Sequence, residues 1–160
     1  MMTNAEASRW LKDARACLNS ARWAYQAPDY RATVQNAQLA VELAAKAVIA
    51  YFEEPLWEHD PSPQLRRILD KLDEVIGPGL EADTVEALYL LAGDAKEVAP
   101  WHGRSTYGQA DEAGVWVPAV DLCTRRIAES LLERAERALP AAEVFLEQAE
   151  RLRDKEAPEG

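Results

Sequence analysis

The stretch from residue 31 to 52 carries its polar side chains on one narrow stripe of a helix. At 3.6 residues per turn, nearly every other position around this helix is apolar. Such a helix is normally central to a bundle, and its polar groups must find partners because burying them unpaired is costly. Glu42 precedes Lys46 by four residues, the favourable order for a helical ion pair. The stripe consists of Arg31, Gln35, Gln38, Glu42 and Lys46.

The breaks along the chain predict an all-α fold, an up-and-down bundle of about five helices. Pro28, Pro55, the Gly77-Pro78-Gly79 turn and Pro100 separate the helical patterns. Residues 100–118 contain three glycines and lack a helical period, so they predict a long loop between helices four and five. The predicted helices cover residues 5–27, 29–54, 65–75, 83–98 and 120–152, with Pro140 kinking or dividing the last.

Length and composition predict a single globular domain. The chain has 160 residues, 48% of them hydrophobic and 29% charged. We assign residues 1–155 to one helical domain and residues 156–160 to a frayed tail. No stretch reaches the length and apolarity of a membrane span, and a cytoplasmic location is expected. Cys17 and Cys123 fall in apolar helical patterns and are expected to be free core residues.

The charge pattern argues against an extensive nucleic-acid interface. The formal net charge is -10, whereas phosphate-rich partners prefer a basic surface. A small basic site on the first helix stays open as an alternative. Its residues would be Arg9, Lys12, Arg15 and Arg22.

The common sequence patterns of metal and cofactor sites are absent. The chain has no Glu-x-x-His pair, no Cys/His cluster, no glycine-rich phosphate loop and no Gly-x-Ser-x-Gly elbow. We therefore predict no bound metal and no cofactor.

The two histidines, His59 and His102, mark the candidate ligand site. Each has a tryptophan neighbour, Trp57 or Trp101, and Arg104 follows the second. An aromatic surface, an imidazole and an arginine together can stack a base and hold a phosphate. Alternatively, the tryptophans cover the ends of the bundle and each histidine makes one local hydrogen bond.

Arg104 also has two interpretations. Ser105, Thr106 and Tyr107 follow it and offer hydrogen-bond donors for phosphate oxygens. Alternatively, Arg104 forms an ion pair with Asp94 or Glu97 and only anchors its own segment.

Four short motifs occur in a characteristic order. They are Asp29-Tyr30-Arg31-Ala32, Gln38-x-x-x-Glu42-x-x-x-Lys46-Ala47, His59-Asp60 and Arg104-x-x-Tyr107. In this order and spacing, over residues 5–150, the chain resembles the HEPN family. The resemblance implies a helical bundle, often a two-fold dimer, that is associated with nucleotides and acts beside a small nucleotidyltransferase.

The resemblance also implies an enzymatic alternative, because many HEPN proteins are ribonucleases of toxin–antitoxin systems. Those enzymes use an arginine followed after four to six residues by a histidine. Neither histidine here has such an arginine, and the nearest match is Lys96 before His102. Lysine lacks the bidentate fork of a guanidinium. We therefore expect a binding module whose ligand contacts come from His59, Trp101, His102, Arg104 and Tyr107. The alternative is a metal-independent ribonuclease using Lys96, His102 and Arg104.

Overall fold

A computed structural model of the chain describes residues 4–156 as a helical bundle with one small β-hairpin. The predicted all-α class is confirmed. The elements in chain order are α1 (Asn4–Gln26), α2 (Tyr30–Phe52), α3 (Ser62–Leu69), α4 (Leu72–Val75), α5 (Ala82–Val98), α6 (Trp101–Tyr107), β1 (Gln109–Ala110), β2 (Trp116–Val117), α7 (Ala119–Leu122) and α8 (Arg125–Glu156).

Helix α2 is the centre of the bundle, as its apolar circumference predicts. It packs against α1 and α8 along much of its length and against α3, α5 and α6 over shorter stretches. Its start is set by Asp29, whose side chain accepts a hydrogen bond from the backbone N–H of Ala32 at 3.1 Å. Fifteen of its residues are buried, including the polar Gln38, Glu42 and Lys46. The helix therefore carries polar groups into the interior.

The long helices begin and end close to their predicted positions, but two segments differ. The third predicted helix is split into α3 and α4, because the backbone at Lys71 leaves helical geometry. Helix α8 continues through Pro140, so the proline does not divide it. Glu156 is still helical, and the rest of the predicted tail, residues 157–160, lies outside the described residues.

The segment predicted as a long loop is largely ordered into α6 and the hairpin. The strands pair antiparallel, with Gln109 opposite Val117 and Ala110 opposite Trp116. Gly108 joins helix to hairpin at a φ of 83°, and a Cβ there would lie 2.2 Å from the carbonyl oxygen of Val117. The seven residues of α6 are too few to show a periodic pattern, which explains why the sequence suggests a loop.

The state of the two cysteines and the apolarity of the helices are also expected from the sequence. Cys17 is half-buried, Cys123 is buried and neither forms a disulfide, and burial is the main cause that raises the pKa of each thiol. Among residues 4–156, no helix is both long and apolar enough to cross a bilayer.

Candidate functional site

The buried half of the α2 stripe forms a continuous polar chain. Gln38, Glu42 and Lys46 are 1%, 4% and 6% exposed. Glu42 accepts a hydrogen bond from Gln38 Nε2 at 3.2 Å through one carboxylate oxygen, and Lys46 Nζ lies 3.3 Å from the other. The ion pair expected from the spacing is therefore present, and Glu42 is held from both sides along its own helix.

The side chains of the two histidines meet next to this row of buried polar groups, where they form a stacked pair. Their ring centroids are 3.6 Å apart and the ring planes differ by 17°. His59 Nδ1 lies 3.3 Å from Glu42 Oε1, and His102 Nδ1 lies 3.3 Å from Gln38 Oε1. Carboxylate and amide oxygens only accept, so both Nδ1 atoms carry the hydrogen in these contacts. The pair is thus anchored to the buried stripe. We call Gln38, Glu42, His59 and His102 the histidine site.

His59 lies in the connection after α2, which a buried glutamine holds in place. Gln64, 6% exposed, donates to the carbonyl of Glu54 at 3.0 Å and accepts from the N–H of Leu56 at 3.0 Å. Asp60 then accepts from the N–H of Ser62 at the start of α3. These bonds fix the backbone on both sides of His59, while its side chain stays 61% exposed.

His102 is positioned by the other half of the same polar stripe. Arg31 donates to the backbone carbonyls of Ser105 and Thr106 at 2.8 and 3.0 Å, and Gln35 donates to that of Ser105 at 3.1 Å. These carbonyls belong to the last turn of α6, where free carbonyl groups need donors. The five stripe residues of α2 therefore have different tasks. Arg31 and Gln35 hold α6, Gln38 and Glu42 hold the imidazoles, and Lys46 pairs with Glu42.

Arg104 and Trp101 lie beside His102 on α6. The guanidinium carbon of Arg104 is 5.4 Å from the centroid of the Trp101 ring, and Trp101 packs partly against the core. The alternative pairing of Arg104 with Asp94 does not occur, because Asp94 accepts from Arg134 and Arg137 at 2.6–2.7 Å. Within residues 4–156, no ion pair joins Arg104 to Glu97 either.

Within residues 4–156, the remaining predicted residues form no hydrogen bond with the histidine site. The side chain of Tyr107 is 74% exposed. Lys96 is exposed in the last turn of α5, and within residues 4–156 it has no hydrogen bond to the histidine site. Trp57 is 95% exposed, so the alternative in which it covers an end of the bundle does not hold for this tryptophan.

The basic residues of α1 are mostly used inside the fold. Arg15 bonds Glu143 at 2.9 Å, and Arg22 bonds Glu136 through Nε at 2.6 Å; both carboxylates belong to α8. Arg9 pairs with Glu6 on its own helix. Three of the four basic residues therefore already pair with carboxylates of the protein, two of them on α8, which argues against the alternative basic site.

Sequence reasoning missed the contacts of Gln38 and Glu42 with the histidines and the close approach of three potential ligand residues. Glu42, His59 and His102 each offer one ligand atom, and these atoms lie within 4.8 Å of one another. Glu42 lies on α2, His59 in the connection after it and His102 on α6. Motifs of closely spaced donors, such as Glu-x-x-His, do not include such a set. The polar stripe was the available signal, because buried polar groups require partners.

A family model described as HEPN domain matches residues 7–152, nearly the whole chain. The chain belongs to the HEPN domain family. Among solved structures, this HEPN chain is similar to TT1696 from Thermus thermophilus, with 27% sequence identity and a TM-score of 0.56. The similarity covers 86% of this chain and 96% of that one. None of the curated proteins matches the chain.

Proposed function

We propose that this HEPN domain is a binding module for nucleotides, and that the ligand contacts the exposed side of the histidine site together with Trp101 and Arg104. The observation that carries the proposal is the stacked histidine pair, held from below by the buried Gln38 and Glu42. Two flat rings fixed in register form a preorganised platform at a surface where a base can stack. HEPN membership adds support for a nucleotide-associated role.

The phosphate contact in this proposal belongs to Arg104. Its guanidinium lies over the Trp101 ring on the helix that also carries His102. A guanidinium presents a rigid fork of donors that matches phosphate oxygens, and no acidic side chain is paired with Arg104 among the described residues 4–156. Ligand binding therefore needs no internal ion pair to be broken first.

The geometry favours binding over cleavage. In general acid–base catalysis, a side chain must lie within hydrogen-bond reach of the group whose proton it transfers. The imidazole rings are 3.6 Å apart, which leaves no room for a phosphate between them. Lys96, the other residue of the ribonuclease alternative, is exposed on α5. We therefore place these histidines in the platform and assign them no proton transfer.

The test is a calorimetric titration of the chain with ATP and with a short single-stranded RNA, accompanied by thermal melts. We expect the parent to bind and Arg104→Ala to lose at least tenfold in affinity while melting normally. Arg67→Ala is the matched control, because Arg67 is exposed on α3 and pairs with Glu53. Lack of binding by the parent, with a lower melting temperature for Arg104→Ala, would show that the arginine only holds α6. RNA cleavage without added metal, abolished in His102→Ala, would favour the ribonuclease alternative.

The same proposal includes a homodimer that acts with a nucleotidyltransferase protein. Trp23 on α1 is 74% exposed, and Leu90 and Val144 on α5 and α8 are 47% and 41% exposed. Contiguous exposed apolar patches are a common property of association interfaces, and these side chains are candidates for such a patch. Light scattering at micromolar concentration should give a dimer mass, and a monomer mass would contradict this part. Co-purification with a nucleotidyltransferase encoded beside it would test the partner.

A further inference from the structure

Glu42, His59 and His102 bring a carboxylate and two imidazoles together on one side of the buried stripe. These are the only two histidines of the chain. The ligand atoms of the three residues lie within 4.8 Å of one another. Two histidines and one glutamate are a common protein donor set for zinc and for several other first-row transition metals. Glu42 is buried, whereas His59 is 61% exposed, so an ion can reach the cluster from solvent.

We propose that Glu42, His59 and His102 bind one divalent transition-metal ion of the Zn²⁺ class. This proposal goes beyond nucleotide binding and does not depend on it, since no nucleotide supplies a ligand. Both proposals use the same two imidazoles, however, and the ion binds only after the stacked pair has opened. Water completes the coordination.

The charge of the cluster selects the type of ion. Lys46 Nζ lies 3.3 Å from Glu42 Oε2 and already compensates the carboxylate. Mg²⁺ and Ca²⁺ prefer several oxygen ligands, whereas this site offers them one carboxylate whose charge Lys46 already balances. Imidazole nitrogens suit Zn²⁺, Co²⁺ and Ni²⁺, which therefore gain most from the pair. The site discriminates between the two groups of ions through its two nitrogens.

Outer contacts orient the ligands before an ion arrives. Gln38 Oε1 accepts from His102 Nδ1 and Gln38 Nε2 donates to Glu42, so one buried amide holds two of the three ligands. Metal-binding histidines usually donate their second N–H to such an acceptor, and ligating carboxylates are themselves hydrogen-bonded. Gln38 is 1% exposed and has little freedom to move.

Binding requires the stacked rings to separate. Donor atoms around one tetrahedral zinc ion lie about 3.3 Å apart, so separations of up to 4.8 Å must shorten. A metal ion also lies near the plane of each imidazole that binds it, whereas the two ring planes are now nearly parallel. His59 can make this movement, because its side chain is 61% exposed and is joined to the buried stripe through the contact of its Nδ1 with Glu42. His102 stays with α6, which Arg31 and Gln35 anchor.

The experiment uses the full chain in a non-chelating buffer, with Co²⁺ followed by visible absorption and Zn²⁺ followed by calorimetry. We expect one equivalent of each ion to bind the parent, and Zn²⁺ to raise its melting temperature. His59→Ala and His102→Ala should each weaken binding at least tenfold. Glu58→Gln, which neutralises an exposed carboxylate next to His59, should bind like the parent.

Any of the following results would overturn the proposal. The first is no stoichiometric Co²⁺ or Zn²⁺ binding by the parent, and the second is unchanged binding by both histidine variants. The third is a strong near-ultraviolet charge-transfer band in the Co²⁺ complex, which would place Cys17 or Cys123 among the ligands. A histidine ring-proton NMR spectrum that changes with Zn²⁺ but not with excess Mg²⁺ supports the unstacking and the selectivity. Equal changes with both ions would contradict the donor set.

Discussion

Glu42 on α2 and Asp94 on α5 are both buried carboxylates, but their partners differ. Asp94 accepts three bonds of 2.6–2.7 Å from Arg134 and Arg137, two guanidinium groups of α8. Glu42 has an amide, an ammonium and an imidazole at 3.2–3.3 Å. These short, charge-assisted bonds join α5 to α8, and we call Asp94 with its two arginines the brace. The longer and more varied contacts of Glu42 lead to the solvent-exposed ring of His59, which is consistent with the proposed site.

The largest expected effect comes from removing the charge partner of Glu42. Lys46→Met should lower the free energy of unfolding by roughly 3–5 kcal/mol, because it leaves a buried carboxylate without a compensating charge. Lys96→Met, at an exposed lysine, is the matched control and should change stability little. Urea unfolding measures both. If Lys46→Met is as stable as the parent, Glu42 is in contact with water. Glu42 and Asp94 would then differ in solvent exposure and not only in their partners.

The brace at Asp94 should be the next most sensitive. Asp94→Asn should cost about 1.5–3 kcal/mol, the usual range for hydrogen bonds to charged groups. The cost is smaller than at Lys46, since the side chains of Arg134 and Arg137 are 29% and 43% exposed and can turn to water. Urea unfolding should show this loss with unchanged Zn²⁺ and ATP titrations, and Asp154→Asn serves as the exposed control. Loss of ligand binding would show that the two clusters are coupled.

His59 should show the opposite behaviour, with little effect on stability and a large effect on binding. Its side chain is 61% exposed, so His59→Ala should change the free energy of unfolding by less than about 0.5 kcal/mol. Glu42 keeps Gln38 and Lys46 as partners in this variant. Denaturant unfolding and metal titration on the same sample check both halves. A destabilisation as large as that of Asp94→Asn would make His59 part of the fold.

The smallest effect is expected at an exposed ion pair, Arg22 with Glu136. The hydrogen bond from Arg22 is the largest cause that lowers the pKa of Glu136 below its ordinary value of 4.5. The stabilisation is therefore present above that value and is lost as the pH falls through the lowered pKa of the folded state. Both side chains are largely exposed, so solvent screening limits it to less than about 1 kcal/mol.

Denaturant unfolding of the parent and Arg22→Ala, near neutral pH and at about pH 3, measures this pair. The stability difference between the two proteins should shrink at the lower pH. A difference that stays constant would show that Arg22 acts through packing of its aliphatic stem.

Local interactions were accessible from the sequence, and long-range ones were not. The stripe of α2 and the Glu42–Lys46 pair follow from helical spacing alone, so they could be predicted. The stacking of His59 on His102 depends on how the connection after α2 and the short α6 are placed on that stripe. The brace at Asp94 depends on the packing of α5 against α8. Neither packing leaves a periodic signal in the sequence.

Helix α6, which the sequence pattern does not reveal, limits which glycine codons in its neighbourhood can change by mutation. Every single-base change that alters a glycine codon to another amino acid adds a Cβ. At Gly108 this atom would collide with the carbonyl of Val117 and would also require an unfavourable φ. At Gly103, beside His102, the added atom meets nothing within 4 Å. Substitutions at Gly103 can therefore introduce new side chains next to the His102 imidazole. Substitutions at Gly108 would instead disrupt the junction between α6 and the hairpin.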